Sequence, residues 1–248
     1  MRKDKIIVFN EINDAALKAV EFINQKLERL PSNNFFTIAL SGGSTPKNLF
    51  DSISKNYSDK IDWRKIKLFW GDERCVPPEH EDSNYRMTYE NLIKHIQIPS
   101  ENVFRIYGES DPLEEAKRYS EILQRELKIK DGVPSFDLII LGLGEDGHTA
   151  SIFPNQLNLF YSEDFCVTAV HPVTKQKRIS ITGKIINNAD TIVFLVTGEK
   201  KAQKIYEILN EKEAAKNYPA YFVNPVSKNL VWLIDKDAAQ LIDPAFIK

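Results

Sequence analysis

Four short apolar runs, each ending in glycine and polar residues, constrain this chain more than any other feature. They are FFTIAL at 35–40, KLFW at 67–70, DLIILGLG at 137–144 and TIVFLVTG at 191–198. Each is strand-sized and lacks a polar face, as a strand buried on both sides does. Between them lie segments with helical spacing. Residues 11–30 bring Ala15, Ala16, Ala19, Val20, Ile23 and Leu27 onto one face before Pro31 stops the helix. Further helices are expected over about 46–55, 83–96, 112–128 and 199–211, and further strands at 165–170, 178–182 and 231–235. Buried strands alternating with helices predict an α/β fold with a largely parallel sheet and helices on both faces. Ligands of such sheets bind outside the carboxyl ends of the strands. Here those ends read SGGST, GDER, GLGEDGH and TGEKK.

Composition narrows the class. No repeat and no composition shift breaks the 248 residues, so one domain over 1–248 is expected. A net charge of -2 argues against a general nucleic-acid binder. No apolar run reaches the roughly 18–20 residues that span a bilayer. The N-terminal segment lacks the apolar core and cleavage site of a signal peptide. Two cysteines, Cys75 and Cys166, exclude a disulfide framework and a Cys-rich zinc site. A cytoplasmic protein with reduced thiols is expected.

Each strand end has an active and a bland reading. In Ser41-Gly42-Gly43-Ser44-Thr45-Pro46 the glycines allow close backbone approach, Thr45 suits an N-cap and Pro46 the first helical position. The amides and hydroxyls there favour an anion, or simply cap a strand-to-helix turn. No Walker lysine follows. Asp72-Glu73-Arg74 could offer an acid or base and a phosphate-binding guanidinium, or an internal ion pair. Cys75 has no evident base and reads as a partly buried thiol. Gly142-Leu143-Gly144-Glu145-Asp146-Gly147-His148 imitates a dinucleotide fingerprint. Pro154 leaves little room for the helix that fingerprint opens, and Glu163 and Asp164 precede the next strand where the ribose acid should follow it. His148 suits a general base, or satisfies loop backbone. Lys201, near a helix start, works against the helix dipole and is a ligand candidate. Lys175, Lys177 and Lys200 read as solvated charge, and His80, His95 and His171 as bland.

Together, LSGGSTPKNLF (40–50), FWGDERCVPPEHEDSNYRM (69–87), DLIILGLGEDGHTASIFP (137–154) and KRISITGKIINNADTIVFLVTGEKKA (177–202) resemble the 6-phosphogluconolactonases of the glucosamine-6-phosphate isomerase/6-phosphogluconolactonase superfamily. The resemblance runs from about residue 35 to the last VWLID. It implies a Rossmann-like domain of the sugar-phosphate isomerase type. It also implies hydrolysis of 6-phospho-D-glucono-1,5-lactone in the oxidative pentose phosphate pathway, with no metal and no organic cofactor. By the same resemblance Gly42, Gly43, Ser44 and Thr45 cradle phosphate, and Arg74, Arg178 and Lys201 contact it. His148 is then the catalytic base, Asp146 orients it, and Asp72 is an acid at the site. The small sugar-phosphate lactone is the expected partner; oligomeric state is left open.

The rival readings are a glucosamine-6-phosphate isomerase or deaminase, a non-catalytic sugar-phosphate sensor and, more remotely, a nicotinamide oxidoreductase. Ile152-Phe153-Pro154 after the His148 loop, and Arg74 where the deaminases carry a tyrosine, favour the lactonases over the deaminases.

Overall fold

A computed structural model describes residues 2 and 4–247. The chain runs through β1 (Lys5–Phe9), α1 (Ile12–Glu28), β2 (Phe36–Leu40), α2 (Ser44–Asn56), β3 (Ile66–Trp70) and β4 (Asp72–Arg74). It continues with α3 (Asn84–Asn91), β5 (Val103–Phe104), α4 (Pro112–Glu126), β6 (Lys128–Lys130), β7 (Val133–Ser135) and β8 (Leu138–Leu141). It closes with β9 (Cys166–Val170), β10 (Lys177–Ile181), α5 (Gly183–Asn187), β11 (Ile192–Val196), α6 (Ala202–Leu209), β12 (Leu230–Asp235) and α7 (Lys236–Ala239).

Seven strands form one sheet in the order β1-β12-β11-β8-β2-β3-β5, and every neighbouring pair is parallel. The apolar runs are buried on both faces because the pleat sends alternate residues to opposite sides. Leu138 and Ile140 join the core under α1 and α2; Ile139 and Leu141 join the core under α4, α5 and α6. This is the expected α/β architecture, with helices on both faces. Among the described residues no helix is long and apolar enough to cross a membrane.

Strand order places the site. From β2 the chain moves outward through β3 to β5, then returns to lay β8 against the other side of β2. Neighbouring strands β2 and β8 thus lead their connections in opposite directions. A crevice opens at their carboxyl ends, the usual ligand position in such sheets. A second sheet, β4-β10-β9, is antiparallel and stands beyond that edge.

Three expectations change. Helix α2 begins at Ser44 with Gly43 as its cap, not at Pro46 with Thr45 as cap. Gly43 has a φ of 109°, which only glycine adopts freely, so the turn closes two residues earlier than hydroxyl capping suggests. GDER is not only a strand end: Asp72–Arg74 is a strand of the small sheet. The segment 5–9, not expected as a strand, pairs along β12 at the sheet edge. As expected, no long α-helix follows Gly147; Pro154–Tyr161 is 3-10 helix.

Candidate active site

The carboxyl ends of β2, β8 and β11, with β4 and β10, enclose a cavity of about 300 Å³. That is the scale of a small polar metabolite. Gly42, Gly43, Ser44, Thr45, Asp72, Arg74, His148, Arg178 and Lys201 all line it. Residues up to 159 positions apart are thus brought together as the resemblance implied. Asp146 stands behind His148 and touches it.

In the wall of the cavity, His148 Nδ1 lies 2.6 Å from Asp146 Oδ1, and the same oxygen accepts the His148 amide at 3.1 Å. Burial pushes the Asp146 carboxyl up, but the hydrogen bonds and charge of His148 outweigh it and hold it at about 2. Asp146 is therefore ionised and can only accept, so in the neutral ring the proton sits on Nδ1 and the lone pair on Nε2. Gly144 makes this contact possible. A Cβ there would sit 2.1 Å from His148 Nδ1 and 2.6 Å from Asp146 Oδ1. The loop is closed by Gly144 N–H donating to His148 O at 2.8 Å and Thr149 Oγ1 donating to Gly142 O at 2.9 Å. Phe153, fully buried, stacks obliquely on the imidazole with ring centroids 4.8 Å apart.

In the small sheet, Arg178 of β10 lies directly opposite Arg74 of β4. Like charges facing each other across a strand pair repel. Among the described residues neither guanidinium makes an ion pair, and the buried Nε of each has no hydrogen-bond partner. Arg74 Nη1 donates to the Asp82 carbonyl at 2.7 Å. Burial, then the charge of Arg74, pull the Arg178 pKa down. Burial also lowers that of Lys201. Three partly desolvated cations and the free amides of the α2 N-terminus make a strong site for a multiply charged anion.

GDER holds no internal ion pair. Its strand alternation sends Asp72 and Arg74 to the cavity and Glu73 the other way. Asp72 Oδ2 accepts Ser151 Oγ at 2.6 Å. Glu73, 2% exposed, accepts the amides of Arg74, Asn84 and Tyr85 at 2.7–2.8 Å and Ser83 Oγ at 3.1 Å, pinning the start of α3. Burial pushes the Cys75 thiol up to about 11, consistent with an inert thiol.

Sequence reasoning missed Asn84, Ser151, His171 and Thr197, which also line the cavity. Asn84 Nδ2 donates to the Asp72 carbonyl at 2.9 Å, and its side chain lies where a Cβ on Gly42 would be. Thr197 Oγ1 is 2.6 Å from Thr45 Oγ1, tying the β11 end to α2. Recognising DER as a strand would have drawn attention to Asn84. His171 carried no signal before its hairpin was known. Among the described residues no cluster of three or more His, Cys, Asp or Glu could hold a metal.

Comparison with known proteins follows the same lines. The family model described as "Glucosamine-6-phosphate isomerases/6-phosphogluconolactonase" matches residues 10–232. A 6-phosphogluconolactonase of Aggregatibacter actinomycetemcomitans is 47% identical over 208 residues, covering 83% of this chain and 87% of that one. A 6-phosphogluconolactonase of Haemophilus influenzae is 46% identical over 206 residues, with 83% and 87% covered. The solved structure of 6-phosphogluconolactonase from Trypanosoma brucei superposes with a TM-score of 0.85 at 29% identity, covering 97% of this chain and 99% of that one.

Proposed function

This chain belongs to the glucosamine-6-phosphate isomerase/6-phosphogluconolactonase family, and we propose that it hydrolyses 6-phospho-D-glucono-1,5-lactone to 6-phospho-D-gluconate with His148 as general base. The observation that carries the reading is one cavity lined by both an Asp146-held imidazole and two facing, unpaired arginines. The substrate carries the two groups such a cavity suits: an ester carbon for the base and a phosphate for the cations. This is a step of the oxidative pentose phosphate pathway.

Arg74, Arg178, Lys201, the α2 amides of the Gly42–Gly43 turn, and the hydroxyls of Ser44 and Thr45 take the phosphate. That binding is spent on orientation, because the group it holds is remote from the bond that breaks. Neutral His148 Nε2 accepts a proton from a water as its oxygen bonds to C1. Asp146 stabilises the imidazolium that results. The C1 oxyanion is met by backbone N–H groups of the glycine-rich loops. As the tetrahedral intermediate collapses, the bond from C1 to the ring oxygen breaks and His148 returns the proton to that oxygen. The product acid then ionises into solvent. Asp72, anchored by Ser151, positions the His148 loop from the far side in this scheme. Residues 1–248 acting as one domain, in the cytoplasm, complete the reading. The two free thiols, Cys75 and Cys166, support that setting.

The test is lactone decay. The lactone is generated with glucose-6-phosphate dehydrogenase, and its loss is followed with and without the protein after subtracting spontaneous opening. Acceleration that His148→Asn removes while the variant stays folded is the expected result. No acceleration by the folded wild type, with ammonia released from glucosamine-6-phosphate, selects the deaminase instead. Near-normal turnover in folded His148→Asn removes His148 as the base.

A further inference from the structure

His171 is the second imidazole of the cavity, and the reaction above leaves it without a task. Its position follows from strand register. Directly opposed residues of an antiparallel pair share a face, as do residues two apart along one strand. Ala169, Arg178 and Arg74 form one row across β9, β10 and β4. His171 is two residues past Ala169, and its amide still donates to Gln176 O across the hairpin at 3.0 Å. It therefore comes up on the face that carries both arginines, with only the Ala169 methyl in that row of β9.

The ring is held in place. Its Nδ1 accepts the amides of Val173 at 3.2 Å and Thr174 at 3.1 Å, so in the neutral ring the proton sits on Nε2. Phe153 packs edge-on against it with centroids 5.1 Å apart, and the same phenyl contacts His148. Burial, then the charges of Arg178 and His148, hold its pKa below the usual histidine value; Asp146 opposes them and Arg74 adds a smaller push the same way. The ring is thus an uncharged donor beside two cations. It adds a hydrogen bond to an anion without adding to the repulsion between the arginines.

We propose that His171 is a further substrate-binding residue, donating from Nε2–H to a phosphate oxygen beside Arg178. The proposal rests on the sugar-phosphate reading above. Its competitor is a histidine that only closes the β9–β10 turn. His80 does this in its own exposed loop, where Nδ1 accepts the Asp82 amide at 3.1 Å.

Two substitutions separate the roles. In His171→Asn the amide oxygen replaces Nδ1 as turn acceptor, but nothing reaches the Nε2 position. In His171→Gln an N–H reaches the Nε2 position, but the turn acceptor is lost. His171→Asn should raise KM for the lactone about tenfold, the size of one hydrogen bond to a charged group, with kcat within about twofold. Calorimetric titration with inorganic phosphate should show a matching loss of affinity. His171→Gln should bring both back to within about threefold of wild type. Wild-type KM in His171→Asn would reduce the residue to a turn former and overturn the proposal. So would His171→Gln no better than His171→Asn, or a fall in kcat at constant KM. The phosphate titration needs no turnover. A wild type without lactonase activity, whose phosphate affinity still falls in His171→Asn, would sink the function and leave this contact standing.

Discussion

Gly144→Ala tests the proposed catalytic pair, His148 and Asp146, without changing the chemistry of either partner. The added Cβ would sit 2.1 Å from His148 Nδ1 and 2.4 Å from Cε1, whereas ordinary contact begins at 3.4 Å. The imidazole must therefore retreat by more than 1 Å, and Asp146 Oδ1, 2.6 Å from the same Cβ, must move as well. The φ of Gly144 is not in the left-handed region, so the backbone itself accepts alanine. Both side chains are partly exposed and can swing outward, so the fold should survive. A misplacement of about 1 Å at a reacting group costs on the order of 100-fold, or about 2.7 kcal/mol of barrier. Gly144→Ala should thus lower kcat about 100-fold with KM for the lactone changed less than about threefold, since the nearest atoms the Cβ meets belong to His148 and Asp146 and not to the arginines or the α2 turn. Lactone decay reads the rate, and thermal unfolding checks the fold. A folded variant with kcat within about threefold of wild type would refute the requirement for the 2.6 Å contact between His148 and Asp146.

The remaining predictions use other parts of the site. Inorganic phosphate at about 100 times its dissociation constant should stabilise the protein by about 2.7 kcal/mol and raise Tm by roughly 5–10 °C. Arg178→Ala should remove most of that shift and raise KM more than it lowers kcat; a Tm shift that persists would place the anion elsewhere. Glu73→Gln leaves an amide facing four converging donors and should cost about 3 kcal/mol, lowering Tm by roughly 6–12 °C. A change under about 2 °C would deny Glu73 its anchoring role. Asp146 is held at about 2, below its ordinary 3.8, so its ionised form stabilises the folded state above about pH 4 and loses that effect as pH falls through 2. In urea titrations wild type should be the more stable relative to Asp146→Asn near pH 5, with the difference shrinking toward pH 2. A constant difference would contradict the pairing with His148.

Much of the fold was legible because its signals are local. Leu138–Leu141 and Ile192–Val196 are apolar on both faces, which only a doubly covered strand tolerates. α1 announced itself by its 3.6-residue spacing and by Pro31 behind it. Local signals failed where a neighbour decided. Thr45 and Pro46 have the chemistry of a cap and first turn, yet Gly43 takes the cap because its φ of 109° turns the chain sooner. β1 is five residues at a sheet edge, and its place depends on pairing with β12, more than 220 residues away.

The site divides in the same manner. By itself the sequence determined which side chains stand at which strand end: the glycine-rich turn, the Asp146-x-His148 loop, and the arginines and Lys201. Two residues apart in one loop, Asp146 and His148 could find each other without help from the fold. Only the tertiary structure decided that Arg178 faces Arg74, that Glu73 turns away to hold α3 while Asp72 meets Ser151, and that His171 comes up beside the arginines. The physical reason is that a strand's alternation says which residues share a face but not what that face meets. Register between strands about a hundred residues apart supplies the rest, and it leaves no mark in either segment alone.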